Sequence, residues 1–498
     1  MSDMMRYVCL WLGLLFFGTS SALAGEAFFL PGVMHVHSTF SSGEDSLEEV
    51  VGKARAQGLR VIVLTDNYIL RWEYGAFPLR RLVRKVVTMP SVERAGIEKF
   101  LQTVREVQQK NPDLILIPGV ETIPFYYWQG SPWGGDLTLI DGQKNLLLVG
   151  MERAEDYVEM PIIGNPSFYH YTRQSLGQLW PLLFLGMGFW LIRKPRIREI
   201  QLRHFRIRAK GSYGVYGWPL IILAVLFLVD RFPFTTPSFS PYQGSAGFSP
   251  YQQLLDYVQA RHGLSFWSMP ETQDFHQYAF GRLGTVTVKT DPHPEALANT
   301  SGYTGFGAIY QENSTLTKPG GEWDQLLLAY CRGEREQPQW GIGEITFHGN
   351  SQAGKELYHV QTIFAVQEAT PTAVLAALRA GHMYALQREQ AEALVLRDFT
   401  LVTPTAAEPA RMGETLRLHD SPLVHLRLES ESQSALQFSL TLIRSGEVLA
   451  TLSGLTPQDF TYSDDSLREG RGYYRVEVRG PTPHWLVSNP IFVEKTAP

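Results

Sequence analysis

Acidic residues and histidines recur in this chain just after short apolar runs, where side chains can converge to hold a cation or move a proton. His35-Val36-His37 closes the run that begins at Phe28. Side chains two apart in a strand point to the same face, so this spacing puts both imidazoles on one side, where two neutral rings can chelate a divalent cation. Similar residues follow later runs, in Thr65-Asp66-Asn67, Gly119-Val120-Glu121 and Phe347-His348-Gly349. Residues at the C-terminal ends of barrel strands share one rim. There Glu121 can bridge two cations, and a cation pair can activate water and clamp a phosphate. Each residue also has an ordinary reading: a surface pair for His35 and His37, a turn or helix cap for Asp66, and a salt-bridged loop acid for Glu121.

The elements that must position these residues alternate short apolar runs with amphipathic helices, a pattern of parallel strands joined by crossover helices. Phe28 to Val36 is the first expected strand, and Ser46-Leu47-Glu48-Glu49 is a capping box opening a helix that Gly58 ends. Arg60 to Leu64, Leu114 to Ile117 and Asn145 to Val149 are further strands, with a helix from about Ser91 to Lys110. After a Pro/Ser/Gly-rich linker, Phe232 to Pro250, the alternation resumes: helix Tyr251 to Arg261, strands Leu264 to Ser268 and Thr285 to Lys289, helix Trp323 to Cys331 and strand Gly341 to Phe347. Helix Pro371 to Ala380 stops at Gly381, and strict period-two strands follow, with a hairpin turn at Ser445-Gly446. Those strands predict an immunoglobulin-like β-sandwich over residues 395–498, with a packing or protein-binding role.

Between the two halves lie apolar stretches at Leu176 to Ile192 and Tyr213 to Val229, each near the lower limit for crossing a bilayer. The loop between them carries Arg193, Lys194, Arg196, Arg198, Arg203, Arg206, Arg208 and Lys210 against one acid, Glu199. Short positive loops stay cytoplasmic, so both flanks are expected outside. Residues 1–24 read as a secretory signal, with Arg6 before the run Tyr7 to Phe17 and a small-residue site at Ala22-Leu23-Ala24. The main domains are therefore expected on the extracytoplasmic side, anchored by the hairpin. The 498 residues, 44% hydrophobic with net charge −5, argue against disorder and against a nucleic-acid binder. Of the two cysteines, Cys9 lies in the leader, so Cys331 has no internal disulfide partner after cleavage.

His35-Val36-His37-Ser38, the Ser46-to-Gly58 helix, Val61 to Asp66 and Pro118-Gly119-Val120-Glu121, in this order, resemble the polymerase and histidinol phosphatase (PHP) superfamily. The resemblance covers about residues 30–150 and 245–350. It implies an α/β fold, a distorted (β/α)7 barrel, here with residues 25–170 as its first part and 245–390 as its second, and the apolar stretches then read as a transmembrane hairpin at 171–232 inserted between them. It also implies Zn, Mn or Fe ions and hydrolysis of a phosphomonoester or phosphodiester; the expected location points to a phosphorylated small-molecule or envelope substrate. His35, His37 and Glu121 would hold the first metal and His348 a neighbouring one, with Asp66 completing the catalytic set. The chain departs from the family pattern at Ser42, Asn67, Asn145, Met269 and Thr346, which stand where ionisable ligands are usual. Neutral oxygens and a thioether hold hard or borderline cations more weakly. Glu344 shares a strand face with Thr346 and His348, so a small register shift would bring its carboxylate to the site; the alternative is a structural ion pair. His276 and His293 fall in loops and are left outside the set. Loss of ligands also fits a second function, an inactive PHP-like binding or scaffold protein of the envelope.

Overall fold

The computed structural model describes residues 28–202, 205–279, 284–310, 314–350, 355–404 and 408–497. The leader expected at residues 1–24 lies outside them. Strand β1 (Phe28–Val36) buries its last five residues, and β2 (Val61–Leu64) is buried throughout, as a run of branched apolar residues requires when both faces are covered. Between them helix α1 (Leu47–Ala56) starts at the expected capping box: the Ser46 hydroxyl accepts from the Glu49 amide, and the Glu49 carboxylate accepts from the Ser46 amide. Its buried residues Leu47, Val50, Val51 and Ala54 form one helical stripe against the sheet.

Strand β3 (Asp66–Asn67) continues directly from β2, and helix α2 (Ile97–Lys110) leads to β4 (Ile115–Ile117) and β5 (Gly119–Thr122). Then come β6 (Leu146–Val149), β7 (Leu264–Trp267), β8 (Gly305–Ile309) and β9 (Trp340–Gly343). β1, β2 and β4 pair in parallel, and a second sheet runs β9-β8-β7-β6-β5-β3, with β6 antiparallel to both neighbours. Beyond β9 a parallel bridge joins Val36 to Phe347, returning the second sheet to β1. Regular pairing in the expected Gly341-to-Phe347 strand thus stops at Gly343. β8 was not expected: its glycine-containing sequence GFGAI is buried but carries little strand propensity. The Thr285–Thr290 strand is found, though it pairs with Asp274–Ala279 and Thr138–Ile140 in a separate sheet.

Strands β10 (Val360–Val366) and β11 (Met383–Gln387) continue the β1 sheet, and β11 pairs with Trp485–Ser488. One 11-stranded sheet therefore runs from β4 into the C-terminal strands. The alternating strands Leu423–Ser430 and Gln437–Arg444 lie in different sheets yet bury Val424, Leu426, Leu428, Phe438, Leu440 and Leu442 in one core cluster. A wholly buried ion pair ties this region to the Glu322–Cys331 helix, Arg475 donating to both carboxylate oxygens of Asp324 at 2.6 and 2.7 Å.

Helices α3 (Pro181–Arg193) and α4 (Gly214–Arg231) lie side by side, and with the preceding turn from Arg173 both are long and apolar enough to cross a membrane. Gly188 and Gly217 face each other so closely that a Cβ on either would lie 2.9 or 2.7 Å from the other's carbonyl oxygen. Outward faces bearing Leu183, Trp190, Ile222 and Val229 are exposed. The basic segment between the helices is a two-stranded ribbon, Pro195–Leu202 against Phe205–Ser212.

Candidate metal centre

β1 does not deliver its two histidines by plain alternation. The ladder shifts register between Met34 and Val36, and His35 sits at φ 68° in the left-handed region. Met269 (φ 41°) and Thr346 (φ 52°) share that region, and the Thr346 hydroxyl lies 3.3 Å from both His35 Nδ1 and the Met269 sulfur. Such backbone is costly for residues with a Cβ, above all for β-branched Thr346, and it concentrates where a site holds side chains in set directions.

The bulge aims His35 and His37 at Glu121, which β5 carries opposite Asn67 of β3. His35 Nε2 lies 3.2 Å from Glu121 Oε1, and His37 Nε2 lies 3.5 Å from Oε2. The three side chains each offer a ligand atom within 4.8 Å of the others, and all are buried. Neither Nε2 has a hydrogen-bond partner. Two buried nitrogens that face one carboxylate without a hydrogen bond are spaced as a cation's donors are: atoms bound at 2.0–2.1 Å to a tetrahedral ion lie about 3.4 Å apart. The donor set of two imidazoles and one carboxylate fits a borderline divalent ion, as the sequence reading expects.

Groups behind the three donors set their directions. His35 Nδ1 donates to Glu344 Oε2 at 2.9 Å, which sets the ring so that Nε2 points at Glu121. Glu344 in turn accepts from Ser268 Oγ at 2.8 Å and from the Met269 amide at 2.7 Å. It fits because residue 307 is glycine: a Cβ there would lie 1.8 Å from Glu344 Oε1. Asn145 Nδ2 donates to Glu121 Oε1 at 2.5 Å. Burial opposes charge on His35, but the Glu121 and Glu344 carboxylates on opposite sides of the ring outweigh it and raise its pKa to about 9. Burial, reinforced by the neighbouring His348 and His35, holds His37 well below its usual value.

Asp66 is brought to the site but not to the donors. Its carboxylate accepts from the Ser38 amide at 2.8 Å, Ser38 Oγ at 2.9 Å and Ser41 Oγ at 2.6 Å, so it pins the turn after His37, while burial raises its pKa. Because Ser41 donates to Asp66, its oxygen is left to face His37 Nδ1 at 3.4 Å. His348 stacks on His37, ring centroids 4.0 Å apart, and its Nδ1 meets Ser42 Oγ at 2.9 Å; it stands outside the three-donor group. Burial depresses its pKa to about 4. His276 pairs with Asp274 on the separate sheet, and His293 is buried beside Trp267. From sequence Glu344 is only a candidate and Asn145 only a departure from the family pattern, and nothing there assigns Ser38, Ser41 and Ser268 their supporting contacts. A Ser-rich turn after a His-x-His motif was the available signal for the first two.

No known protein family and no curated protein matches the chain. Among solved structures it is similar to a two-domain protein from Bacteroides vulgatus containing a predicted PHP-like metal-dependent phosphoesterase. That likeness has 12% identity, covers 91% of each chain and has a TM-score of 0.36. It is also similar to an engineered protein at 12% identity, covering 40% of this chain and 43% of that one, with a TM-score of 0.14. Likenesses this distant transfer no activity to the present chain.

Proposed function

We propose that this chain is a metal-dependent phosphoesterase of the PHP type, anchored by α3 and α4 with its main domains outside the cytoplasm. The observation that carries the reading is the pair of buried, unpartnered Nε2 atoms of His35 and His37 flanking Glu121. Three protein donors leave a coordination position open, as catalytic rather than structural zinc sites do. The ring of pairings from β1 through β9 and back at Val36 and Phe347 supports a distorted seven-stave barrel, counting β2 with β3 and β4 with β5 as single staves. The shared core of the two C-terminal sheets supports the sandwich.

When bound, a divalent ion supplies Lewis acidity, acidifying a water and polarising a phosphoryl oxygen. His35, His37 and Glu121 would hold it. Glu344 keeps the His35 ring turned, Asn145 holds the Glu121 carboxylate, and Asp66 fixes the turn that carries Ser38 and Ser41. Ser42, Met269, Thr346 and His348 are partly exposed and mark the side from which a phosphorylated substrate reaches the donors. The Ser42 hydroxyl and the Asn67 amide, 3.1 Å apart, offer neutral donors to its oxygens.

Hydrolysis of bis(p-nitrophenyl) phosphate by the full-length protein with added Mn²⁺ tests the reading. Turnover that chelator abolishes, and that Glu121→Gln lowers at least about 100-fold, is expected. A second reading, a cation-holding domain without hydrolysis, draws on the neutral Asn67, Asn145, Met269 and Thr346 around the donors. Bound metal without turnover on monoester and diester substrates would select it.

A further inference from the structure

A cavity of about 810 Å³ lies apart from the metal centre, where the end of α4 meets the Arg71–Gly75 and Arg84–Thr88 hairpin. Five arginines line it, Arg71, Arg80, Arg81, Arg84 and Arg231, against two acids, Glu73 and Asp230. Both acids are already engaged. Glu73 takes Arg71 at 2.6 Å and Arg84 at 2.9 Å, and Asp230 caps the backbone amides of Arg81 and Leu82 at 2.8 and 2.9 Å. The Arg81 guanidinium is spent on carbonyls of Arg231, Phe232 and Thr235.

Arg80 and Arg231 are different. Arg80 stacks on the Tyr242 ring at 3.6 Å and Arg231 lies over Trp180 at 5.4 Å, so both guanidinium groups are held in place. Yet Arg80 Nη1 and Arg231 Nε are buried with no hydrogen-bond partner. Both residues are part-exposed and line the cavity, so guanidinium groups held by aromatic rings present N–H donors there, and a phosphate matches their planar fork.

The surroundings say where that phosphate comes from. Phe77 and Phe232, 81% and 69% exposed, stand at the cavity, and Leu82 and Val83 beside it are exposed as well. α4 ends at Arg231, with Trp180 and Phe227 packed at the same level, an aromatic band of the kind found at a membrane surface. Arg80, Arg81 and Arg84 are also far in sequence from the helices, so the rule that keeps short basic loops inside the cell does not explain them.

We infer that this cavity binds the phosphate headgroup of an anionic phospholipid in the leaflet at the C-terminal end of α4, its acyl chains lying against Phe77, Leu82 and Phe232. The inference rests on α3 and α4 spanning a membrane, and it is independent of the metal centre.

Full-length protein in detergent, offered phosphatidylglycerol or phosphatidylcholine and weighed by native mass spectrometry, tests it. Wild type is expected to retain one phosphatidylglycerol per chain, at least roughly tenfold over phosphatidylcholine. Arg80→Gln with Arg231→Gln should remove that preference, whereas Arg196→Gln with Arg198→Gln, in the distant ribbon, should not. Absence of the preference in wild type overturns the inference without relying on any variant. So does a preference that survives the Arg80 and Arg231 changes, or one that follows the ribbon changes instead. Displacement of the lipid by millimolar inorganic phosphate would reassign the site to a free anion. Retention of wild type by neutral phosphatidylcholine vesicles separately checks the membrane reading, so failure of one is distinguishable from failure of the other.

Discussion

His35 is held between two carboxylates, one on each ring nitrogen, and the two have different duties. Glu121 also faces His37, whereas Glu344 sits behind the ring. Glu344→Gln would keep the packing but weaken the hydrogen bond that orients the ring, and metal affinity should fall about 10- to 100-fold, measured by competition with a chromophoric chelator. Asp66→Ala is a contrasting change. It strands three donors, Ser38 N, Ser38 Oγ and Ser41 Oγ, and should lower stability by about 1–3 kcal/mol in denaturant unfolding while a saturated protein still carries its metal. Loss of metal with unchanged stability would return Asp66 to the donor set. His35, His37 and Glu121 were legible because each sits within a short motif at a strand end. Glu344 was legible only as a candidate and Asn145 only as a departure, because their contacts depend on a bulge at His35 and on pairing between strands distant in the chain. A one-residue register difference changes which side chain faces the site.

The helices were the most legible elements, since capping boxes and apolar stripes are local. α1 begins at Ser46 as its sequence dictates, and α3 and α4 match the two apolar stretches. What composition did not reveal is how closely α3 and α4 approach. The Gly188–Gly217 contact lets the backbones meet without side chains between them, the small-residue packing that suits helices in lipid. Gly188→Val would push a methyl group into Ile221 and the Gly217 carbonyl, and a loss of about 1–3 kcal/mol is expected in thermal unfolding of the full chain in detergent. An unchanged transition would mean the helices are not packed at that point. β8 escaped notice for the opposite reason: its burial comes from neighbours on both sides, not from an apolar pattern of its own.

At the scale of the whole molecule the two apolar helices leave and re-enter beside a short antiparallel ribbon in which Tyr169 pairs with Pro237 and His170 with Thr236. Replacing residues 172–234 by a short Gly/Ser linker should therefore give a protein that stays in solution without detergent and binds metal like the full chain; aggregation with loss of metal would show that the helices are part of the outer fold. The period-two strands were readable in the sequence, but their neighbours were not. Alternation identifies which face is buried, not that Trp485–Ser488 pairs with Met383–Gln387, so it does not encode the continuity of one sheet into the C-terminal strands. Elemental analysis of the purified full-length protein, beside Glu121→Gln, bears most directly on the centre from which the functional reading starts. About one divalent transition metal per wild-type chain and almost none in the variant is the expected result. A metal-free wild type that also takes up neither Zn²⁺ nor Mn²⁺ in equilibrium dialysis would contradict it.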